Sequence, residues 1–367
     1  MPADESSNNE EAMKRERAAV LDSTGHPVRA IAMLSGGLDS SLAAVVVAQL
    51  GIDVIGLHVK HLFSGQRAED KDPIAASAAQ IGIPFRVLDR SDQHLDIVRH
   101  PRHGTGAGMN PCVDCRIFIL RVAREVMEAE GAQFVITGEV LGQRPMSQHS
   151  KALSLVARES GLEERLLRPL SARFLPGTLP VKEGWIRLEE LPELQGRGRQ
   201  PQIELAKQYG IHDFPQPAGG CLLIEKAYSA RLRDAFAAYG EDGVDRAGFE
   251  LLALGRHFRL SPTAKLILGH DEQENAKLLL KAGGRIVLDP ADIMGPTGLV
   301  EGNPTEEDLR LASSLLARYS DHRGLDEPVR VLVRSGPGYQ QEKVEEIRPL
   351  PVDDARIAEW RLDDTKR

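Results

Sequence analysis

A loop rich in glycine and serine, Ser-Gly-Gly-Leu-Asp-Ser at residues 35–40, follows an apolar run at residues 30–34. Adjacent glycines let the main chain approach a phosphate closely, and a helix expected from Ser40 would direct its free N–H groups to the same point. The carboxylate of Asp39 suits a magnesium ion that neutralises pyrophosphate. The loop lacks the Gly-Lys-Ser/Thr ending of kinase and GTPase loops, so it predicts another kind of nucleotide site, with a plain glycine turn as the structural alternative. The predicted nucleotide contacts in this region are Leu34, Ser35, Gly36, Gly37, Asp39, Ser40 and Ser41.

Three cysteines form the second group of reactive side chains. Cys112 and Cys115 make a Cys-x-x-Cys pair before a helix expected at residues 116–130, and Cys221 follows a Gly-Gly turn. The spacing suits two ligands of one metal, and a helix N-terminus favours the thiolate form. Three thiolates do not complete a closed structural zinc site, and they better suit a cluster or metal with an open position. Persulfide chemistry without a cluster, and thiols that are structural or zinc-bound, remain alternatives.

Alternating apolar and helical stretches must position these groups, and they predict an α/β fold with a doubly wound parallel sheet. The expected strands are residues 30–34, 54–59, 85–88 and 134–137, and the expected helices are residues 40–50, 74–81 and 116–130. Between residues 138 and 220 the pattern loosens, with one clear helix at residues 202–209. Strands at residues 256–269, 285–288 and 329–333, with a helix at residues 306–319, indicate a C-terminal α+β domain.

The expected organisation is a flexible tail at residues 1–27, a nucleotide-binding domain at 28–145, a connecting region at 146–244 that carries the third cysteine, and a C-terminal domain at 245–367. The formal net charge of −8 excludes a protein that coats nucleic acid indiscriminately. No apolar run approaches the ~18 residues of a membrane span, and the polar N-terminus has no secretory signal. The few cysteines indicate a reducing compartment, so we expect a cytoplasmic protein without a membrane partner.

Several arginines lie in the loosely patterned middle region, where they could contact phosphates of an RNA stem. The segment Gln-Gly-Arg-Gly-Arg-Gln at residues 195–200 has the glycine spacing of a loop that contacts a ligand. A solvated surface with salt bridges to neighbouring glutamates is the alternative. The RNA contacts predicted here are Arg144, Arg168, Arg197 and Arg199.

The loop at residues 35–40 resembles that of the PP-loop ATPases, which cleave ATP between the α and β phosphates and leave an adenylate on an oxygen. This resemblance implies ATP and Mg²⁺ as cofactors, with AMP and pyrophosphate as products. It also places the strand after the first helix beside adenine, which implies a main-chain contact at His58. The resemblance also implies that Asp39 is a catalytic residue that binds magnesium.

The segment Thr-Gly-Glu-Val-Leu-Gly-Gln-Arg-Pro-Met-Ser-Gln at residues 137–148, with Asn-Pro before the paired cysteines and a late cysteine in a glycine-rich turn, resembles the tRNA 2-thiouridine and 4-thiouridine synthetases. Thr137 and Gly138 would then contact ATP. In the cluster-dependent branch of these enzymes a Cys-x-x-Cys pair and one distant cysteine bind a [4Fe-4S] cluster whose open iron accepts the transferred sulfur. The resemblance therefore implies Cys112, Cys115 and Cys221 as ligands, with Cys112 and Cys221 also catalytic.

The implied reaction is ATP-dependent thiolation of a tRNA uridine, with sulfur from an external donor, namely sulfide, a persulfide or a carrier protein. A homodimer is compatible with the sequence. Two other functions remain open: a PP-loop amidotransferase or ligase that adenylates a small substrate without sulfur chemistry, and a non-enzymatic RNA-binding protein that senses ATP.

The C-terminal segment Gly-Arg-His-Phe-Arg-Leu-Ser-Pro-Thr-Ala-Lys at residues 255–265 resembles the RNA-binding domain of NFACT proteins. This resemblance implies phosphate contacts from Arg256, Arg259 and Lys265. A folding or dimerisation module is the alternative. Because acidic residues outnumber basic ones here and aromatic residues are scarce, we expect narrow, shape-directed RNA contact rather than base stacking.

Overall fold

The computed structural model describes residues 18–63, 73–144, 146–214, 221–321, 327–336 and 343–362. Contacts divide the chain at residues 106/107, 110/111 and 220/221 into two compact units, of which the second combines residues 107–110 with the C-terminal part. Residues 1–17 of the expected tail lie outside the described residues. The rest of that segment is tied down, because the Val20 N–H donates to the Gly51 carbonyl at 2.9 Å.

A parallel sheet forms the centre of the first unit, with strand order β3-β2-β1-β4-β5. The strands are β1 (Arg29–Met33), β2 (Asp53–Lys60), β3 (Phe85–Asp89), β4 (Phe134–Ile136) and β5 (Leu166–Leu167). The helices are α1 (Leu38–Ala48), α2 (Pro73–Ile81), α3 (Ser91–Arg99), α4 (Cys112–Ala129), α5 (Ser150–Glu159), α6 (Leu179–Lys182) and α7 (Gln200–Gln208). The predicted doubly wound α/β fold is confirmed.

Both faces of β1 are buried, as its apolar sequence requires. Successive side chains of a strand point to opposite faces, and Ala30 and Ala32 pack into one core while Ile31 packs into the other. The first core is covered by α1 through residues such as Leu42. The second is covered by α4, to which Leu120 belongs. This covering on both sides holds the carboxyl ends of the strands in place.

The first unit also differs from the expectation at three places. α4 begins at Cys112 rather than Arg116. Pro111 occupies the N-cap position, and residues 112–115 form the first turn although they are weak helix formers. α3 was not expected. The middle region also contains α5 and β5, and the spacing of the buried residues Leu153 and Val156 is the helical signal that the sequence interpretation missed.

An antiparallel sheet forms the second unit, with strand order β11-β10-β8-β9-β7-β6. Its strands are β6 (Arg256–Ser261), β7 (Ala264–Leu268), β8 (Ile286–Pro290), β9 (Gly298–Gly302), β10 (Val331–Ser335) and β11 (Lys343–Ile347). Its helices are α8 (Lys226–Tyr239), α9 (Arg246–Leu251), α10 (Glu272–Leu280) and α11 (Glu306–Tyr319). The expected α+β class is confirmed, and α11 has its expected bounds, set by a capping box between Thr305 and Asp308. Within the described ranges, no helix has both the length and the apolar character needed to cross a bilayer.

Candidate functional site

The order of the strands locates the candidate site in the first unit. β1 pairs with β2 on one side and with β4 on the other, so the strand order reverses between β1 and β4. In open α/β sheets, ligands bind at the carboxyl ends of the strands at such a reversal. The glycine-serine loop follows β1, and Thr137 and Gly138 follow β4. The structure therefore brings these two predicted groups of nucleotide contacts to one edge of the sheet.

The loop after β1 is closed by its own serine side chains. The Ser40 hydroxyl donates to the Gly37 carbonyl at 2.7 Å and accepts from the Ser35 N–H at 3.2 Å. Ser41 donates to the same carbonyl at 3.2 Å. Gly36 has a φ of 71°, which favours glycine. α1 starts directly afterwards, and the N–H groups of its first turn have no intrahelical partner, so this loop has the character of an anion site.

Gly138 lies against the first turn of α1. A Cβ atom at this position would stand 2.4 Å from the Asp39 carbonyl oxygen and 2.6 Å from the Ser40 nitrogen. Both neighbours are backbone atoms, so no side chain fits. Gly138 therefore lets the end of β4 pack directly on the phosphate loop.

The carboxylate of Asp39 has one oxygen available to a cation. Its Oδ2 accepts a hydrogen bond from the Gln143 amide at 3.0 Å. Its Oδ1 is buried and has no hydrogen-bond partner among the described residues. Magnesium prefers carboxylate oxygens, and burial without a partner is costly, so this oxygen fits the expected Mg²⁺.

His58 lies on β2 beside the beginning of the loop. Its Nδ1 is 2.9 Å from the Leu34 carbonyl oxygen. Leu34 is itself buried, and its N–H donates to the Leu57 carbonyl at 2.8 Å. The His58 ring thus fixes the last residue before the loop, which places both predicted residues next to the candidate ATP site.

Glu139 is a buried anion at the centre of a cationic cluster. Its carboxylate accepts hydrogen bonds from Arg116, from Arg168 at 2.7 Å and from the Thr137 hydroxyl at 3.2 Å. Burial alone would raise the pKa of Glu139, but Arg116 and Arg168 outweigh it and lower the pKa to about 2. A permanently ionised Glu139 therefore ties α4 and β5 to the end of β4. The motif at residues 137–148 contains Glu139, but the sequence alone indicates no role for this residue.

Arg144 connects the phosphate loop electrostatically to the cysteine turn. Its side chain keeps contact with solvent. Partial desolvation and the nearby Arg116 cation lower its pKa, whereas Cys112, Asp39 and Glu139 oppose this shift. The structure therefore places Arg144 within electrostatic range of Asp39 and Cys112, where a positive charge can compensate anions that develop during a reaction.

The paired cysteines lie in the first turn of α4, where their thiols are partly exposed and form no disulfide. The Cys115 N–H donates to the Pro111 carbonyl at 2.8 Å. Between them, Asp114 is buried and accepts from the His103 N–H at 2.9 Å and contacts the His103 ring at 2.7 Å. Asp114 thus anchors the preceding loop to the turn. Such a turn suits a metal or a cluster.

Cys221 belongs to the second unit and precedes a short 3₁₀ helix, Leu222–Ile224. Its thiol is partly exposed and forms no disulfide. The turn before it, at residues 215–220, lies outside the described residues.

A pair of histidines stands beside Cys115, and sequence reasoning missed both. The Nε2 atom of His94 is 3.1 Å from the Cys115 sulfur, and the His61 and His94 rings stack with centroids 4.3 Å apart. Burial lowers the pKa of His61 to about 4, aided by His58, and burial with His61 nearby lowers the pKa of His94 to about 3. The two imidazoles are therefore neutral at physiological pH. No sequence signal links residues so far apart.

The predicted RNA-contacting residues divide by exposure. Arg197 is exposed and Arg199 is partly exposed. Arg168 is only 7% exposed and is held by Glu139, and Lys265 is 1% exposed and bonds Glu301 at 2.8 Å. Burial and ion pairing argue against phosphate contacts from Arg168 and Lys265.

The other two arginines of the second unit also have protein partners. Arg259 pairs with Asp234, to which its Nε donates at 2.9 Å. Arg256 lies over the Tyr319 ring at 4.8 Å and donates to the Gly269 carbonyl at 2.9 Å. Phosphate contact by either residue stays a prediction.

Two family models match separate parts of the chain. Residues 25–173 match the thiamine biosynthesis protein (ThiI) family, and residues 255–361 match the NFACT protein RNA-binding domain. Among curated relatives, the probable tRNA sulfurtransferase of Methanothermobacter thermautotrophicus is 28% identical over 53% of this chain and 44% of that protein. The tRNA-specific 2-thiouridylase MnmA of Xanthobacter autotrophicus is 26% identical over 65% of this chain and 62% of that protein. The chain thus spans about half the length of these relatives.

Among solved structures, the U34-tRNA thiolase NcsA from Methanococcus maripaludis, described with its [4Fe-4S] cluster, is 15% identical and has a TM-score of 0.31, covering 67% of this chain and 79% of that one. The sequence matches agree with the fold of each unit and with the PP-loop at the strand reversal. Residues 25–173 are therefore similar to the ThiI family, and residues 255–361 are similar to the NFACT RNA-binding domain.

Proposed function

We propose that this chain is an ATP-dependent tRNA sulfurtransferase, which adenylates a carbonyl oxygen of a uridine base and then replaces that oxygen with sulfur. The observation that carries the proposal is the packing of Gly138 on the Asp39 backbone. This contact joins the ThiI-type motif at residues 137–148 to the phosphate loop at one edge of the sheet. The names of the curated relatives support tRNA as the substrate.

The first step is adenylation. The phosphates of ATP bind at the loop of residues 35–41, where the N–H groups of the first turn of α1 stabilise negative charge. Asp39 Oδ1 would hold Mg²⁺, which neutralises the pyrophosphate when bound. The uridine oxygen attacks the α-phosphorus, so that a new P–O bond forms and the bond to the β-phosphate oxygen breaks. Pyrophosphate leaves, and the base carries AMP on its oxygen.

The second step is sulfur transfer. With sulfide as the donor, its sulfur attacks the activated ring carbon, the C–O bond breaks, and AMP leaves with the electron pair. The protons of the sulfide pass to solvent. Arg144 lies within electrostatic range of Cys112 and Asp39 and compensates the charge that accumulates as AMP departs.

The proposal includes a [4Fe-4S] cluster on Cys112, Cys115 and Cys221. It is supported by three cysteines that form no disulfide and by the position of the first two in one helical turn. These three cysteines would hold the cluster, which would supply an iron that can carry the sulfur to be transferred. The proposal also includes the [4Fe-4S] type of the cluster and an external donor for the sulfur. It further includes assembly of the protein as a homodimer and its location in the cytoplasm.

The test is an anaerobic assay of the full chain, reconstituted with iron and sulfide, with ATP, Mg²⁺, sulfide and unmodified tRNA. Pyrophosphate is measured during the reaction, and thiolated nucleosides are measured by mass spectrometry after digestion of the tRNA. We expect both products from the wild type and neither from Asp39→Ala. Asp92→Ala is the matched control, because Asp92 is also an acidic residue in the first turn of a helix but is exposed.

The outcomes separate the three functional classes. Pyrophosphate without thiolated nucleoside would indicate a ligase or amidotransferase that adenylates another substrate. ATP binding without pyrophosphate would indicate a nucleotide sensor. Undiminished thiolation by Asp39→Ala would contradict the assigned site.

A further inference from the structure

Three potential metal ligands from separate elements converge in the first unit, outside the phosphate loop. His61 follows the end of β2, His94 lies on α3, and Cys115 lies in the first turn of α4. Their ligand atoms all lie within 4.8 Å of one another. We propose that His61, His94 and Cys115 form a mononuclear site for a divalent cation of the chemical class of zinc.

The distances suit such an ion. Zinc binds nitrogen at about 2.0–2.1 Å and thiolate sulfur at about 2.3 Å, so tetrahedral geometry separates the ligand atoms by roughly 3.5 Å. His94 Nε2 and the Cys115 sulfur are already 3.1 Å apart. Only His61 has to approach, and it stands directly after the last residue of β2. A rotation of its side chain out of the stacked arrangement would close the site.

The ligand chemistry also suits such an ion. Zinc takes imidazole and thiolate ligands, and this group offers two imidazoles and the thiol of Cys115. His94 is 1% exposed, and its Nδ1 has no hydrogen-bond partner within the described part of the chain. A buried imidazole whose polar atom lacks a partner is unfavourable unless another interaction compensates for it.

Aromatic side chains shield this group from water. The Phe63 and Phe118 rings each have a centroid 5.7 Å from that of His94, and Phe63 is fully buried. A shell of this kind lowers the local dielectric constant and strengthens the attraction between a cation and a thiolate. Three protein ligands leave a fourth position for water or another small ligand, as in zinc sites that are not purely structural.

The inference goes beyond the proposed function, because neither histidine takes part in adenylation or sulfur transfer. The two assignments meet at Cys115, which belongs to the proposed cluster as well. The single cation and the cluster would therefore compete for one sulfur atom. The cation site does not need Cys221, which belongs to the second unit and to the proposed cluster. The cation site can therefore be tested on protein that contains no iron.

The experiment is an anaerobic titration of reduced, iron-free, full-length protein with Co²⁺, followed by its absorption spectrum, and then displacement by Zn²⁺. A cobalt ion bound to a thiolate shows a sulfur-to-metal charge-transfer band, and tetrahedral coordination gives intense d–d bands. We expect one equivalent of Co²⁺ to produce both, and Zn²⁺ to remove them. Neither ATP nor tRNA is present, so the result is independent of the proposed function.

Variants identify the ligands. We expect Cys115→Ser to abolish the charge-transfer band, and His94→Gln and His61→Gln to weaken binding by about 100-fold or more, since removing even a residue that only orients a ligand costs roughly 10–100-fold. Cys112→Ser should retain the band. His212→Gln is the matched control, because this histidine is exposed. Circular dichroism and thermal unfolding of each variant exclude loss of the fold as the cause, and His61→Gln serves if His94→Gln does not fold.

Two results would overturn the inference. The first is binding without a charge-transfer band in the wild type. The second is a band that disappears in Cys112→Ser but persists in His94→Gln and His61→Gln, which would assign the cation to the paired cysteines instead.

Discussion

Gly138 and Asp39 are in backbone contact, so that a methyl group on Gly138 would stand 2.4 Å from the Asp39 carbonyl oxygen. The contact therefore fixes the distance between the end of β4 and the first turn of α1, two segments that are 99 residues apart in the sequence. Asp39 also carries the buried oxygen that fits magnesium. The position of Asp39 thus depends on the absence of a side chain at Gly138, in the segment that follows β4.

Gly138→Ala should impair adenylation strongly, because the loop or β4 has to move by about 1 Å to relieve the overlap. A displacement of that size at a reacting centre lowers rates by roughly 100-fold. We expect pyrophosphate release at saturating tRNA to fall by about that factor. The measurement is the rate of pyrophosphate release as a function of ATP concentration.

Gly177→Ala is the matched control, because a Cβ at Gly177 would meet no atom within 4 Å and its φ does not require glycine. Equal rates for the wild type and Gly138→Ala would show that the contact between β4 and the loop does not position the reacting groups.

Glu139→Gln should lower the free energy of unfolding by about 3–5 kcal/mol, because it leaves Arg116 and Arg168 without their shared anion. The pKa of Glu139 is lowered from 4.5 to about 2, so its stabilising contribution is present above pH 4.5 and is lost as the pH falls toward 2. The difference between wild type and variant should therefore shrink in that range. Urea unfolding at pH 7 and at acid pH measures it.

Glu163→Gln is the control for Glu139→Gln, because Glu163 is an exposed glutamate in the same unit. A difference between wild type and Glu139→Gln that stays constant down to pH 2 would show that the ionised carboxylate is not what stabilises this cluster.

The elements that carry the phosphate loop were predictable from sequence, since β1 and α1 show the apolar runs and glycines that their environment requires. Ion pairs between residues on different elements could not be predicted from the sequence in the same way. Arg168 looked like a surface cation because nothing in its neighbourhood shows that it meets Glu139, which is 29 residues away. Lys265 also looked like a surface cation in the sequence. Every position of β7 is buried, however, and the charge of Lys265 is compensated there by its ion pair with Glu301.

The cysteine turn was partly predictable. The spacing of Cys112 and Cys115 indicated two ligands at a helix N-terminus, and the structure places both in the first turn of α4. The histidines beside Cys115 could not be found, because His94 reaches Cys115 through the packing of α3 on α4, and α3 itself was missed. His61 comes from a third element, since it follows the end of β2. Candidate ligands on one element can thus be predicted from their spacing in the sequence. Candidate ligands on different elements can be recognised only when the fold is known.

His103 should stabilise the cysteine turn mainly at low pH. The hydrogen bond to Asp114 raises the pKa of His103, so the contribution is fully present below about pH 6.5 and is lost as the pH rises through the higher value of the folded state. His103→Gln should cost at most about 1 kcal/mol, since the imidazole is exposed, and the cost should vanish at alkaline pH. Urea unfolding from pH 5 to pH 9 measures this profile.

An NMR titration of the His103 ring provides the control for that profile. In Asp114→Asn the midpoint should move back toward the ordinary value of histidine. An unchanged midpoint would contradict the assignment of the raised pKa to Asp114.

Arg197→Ala should weaken tRNA binding, whereas Arg187→Ala should leave it nearly unchanged. Both arginines are exposed, but Arg187 is paired with Glu190 at 2.8 Å, and Arg197 lies in the glycine-spaced loop. A single phosphate contact contributes about one unit to the slope of log affinity against log salt, so that slope should fall by about 1 in Arg197→Ala. Binding of unmodified tRNA at several salt concentrations measures it. A reduced affinity with an unchanged slope would mean that Arg197 acts through the conformation of the loop, because only the loss of an ionic contact with phosphate changes the number of released counterions.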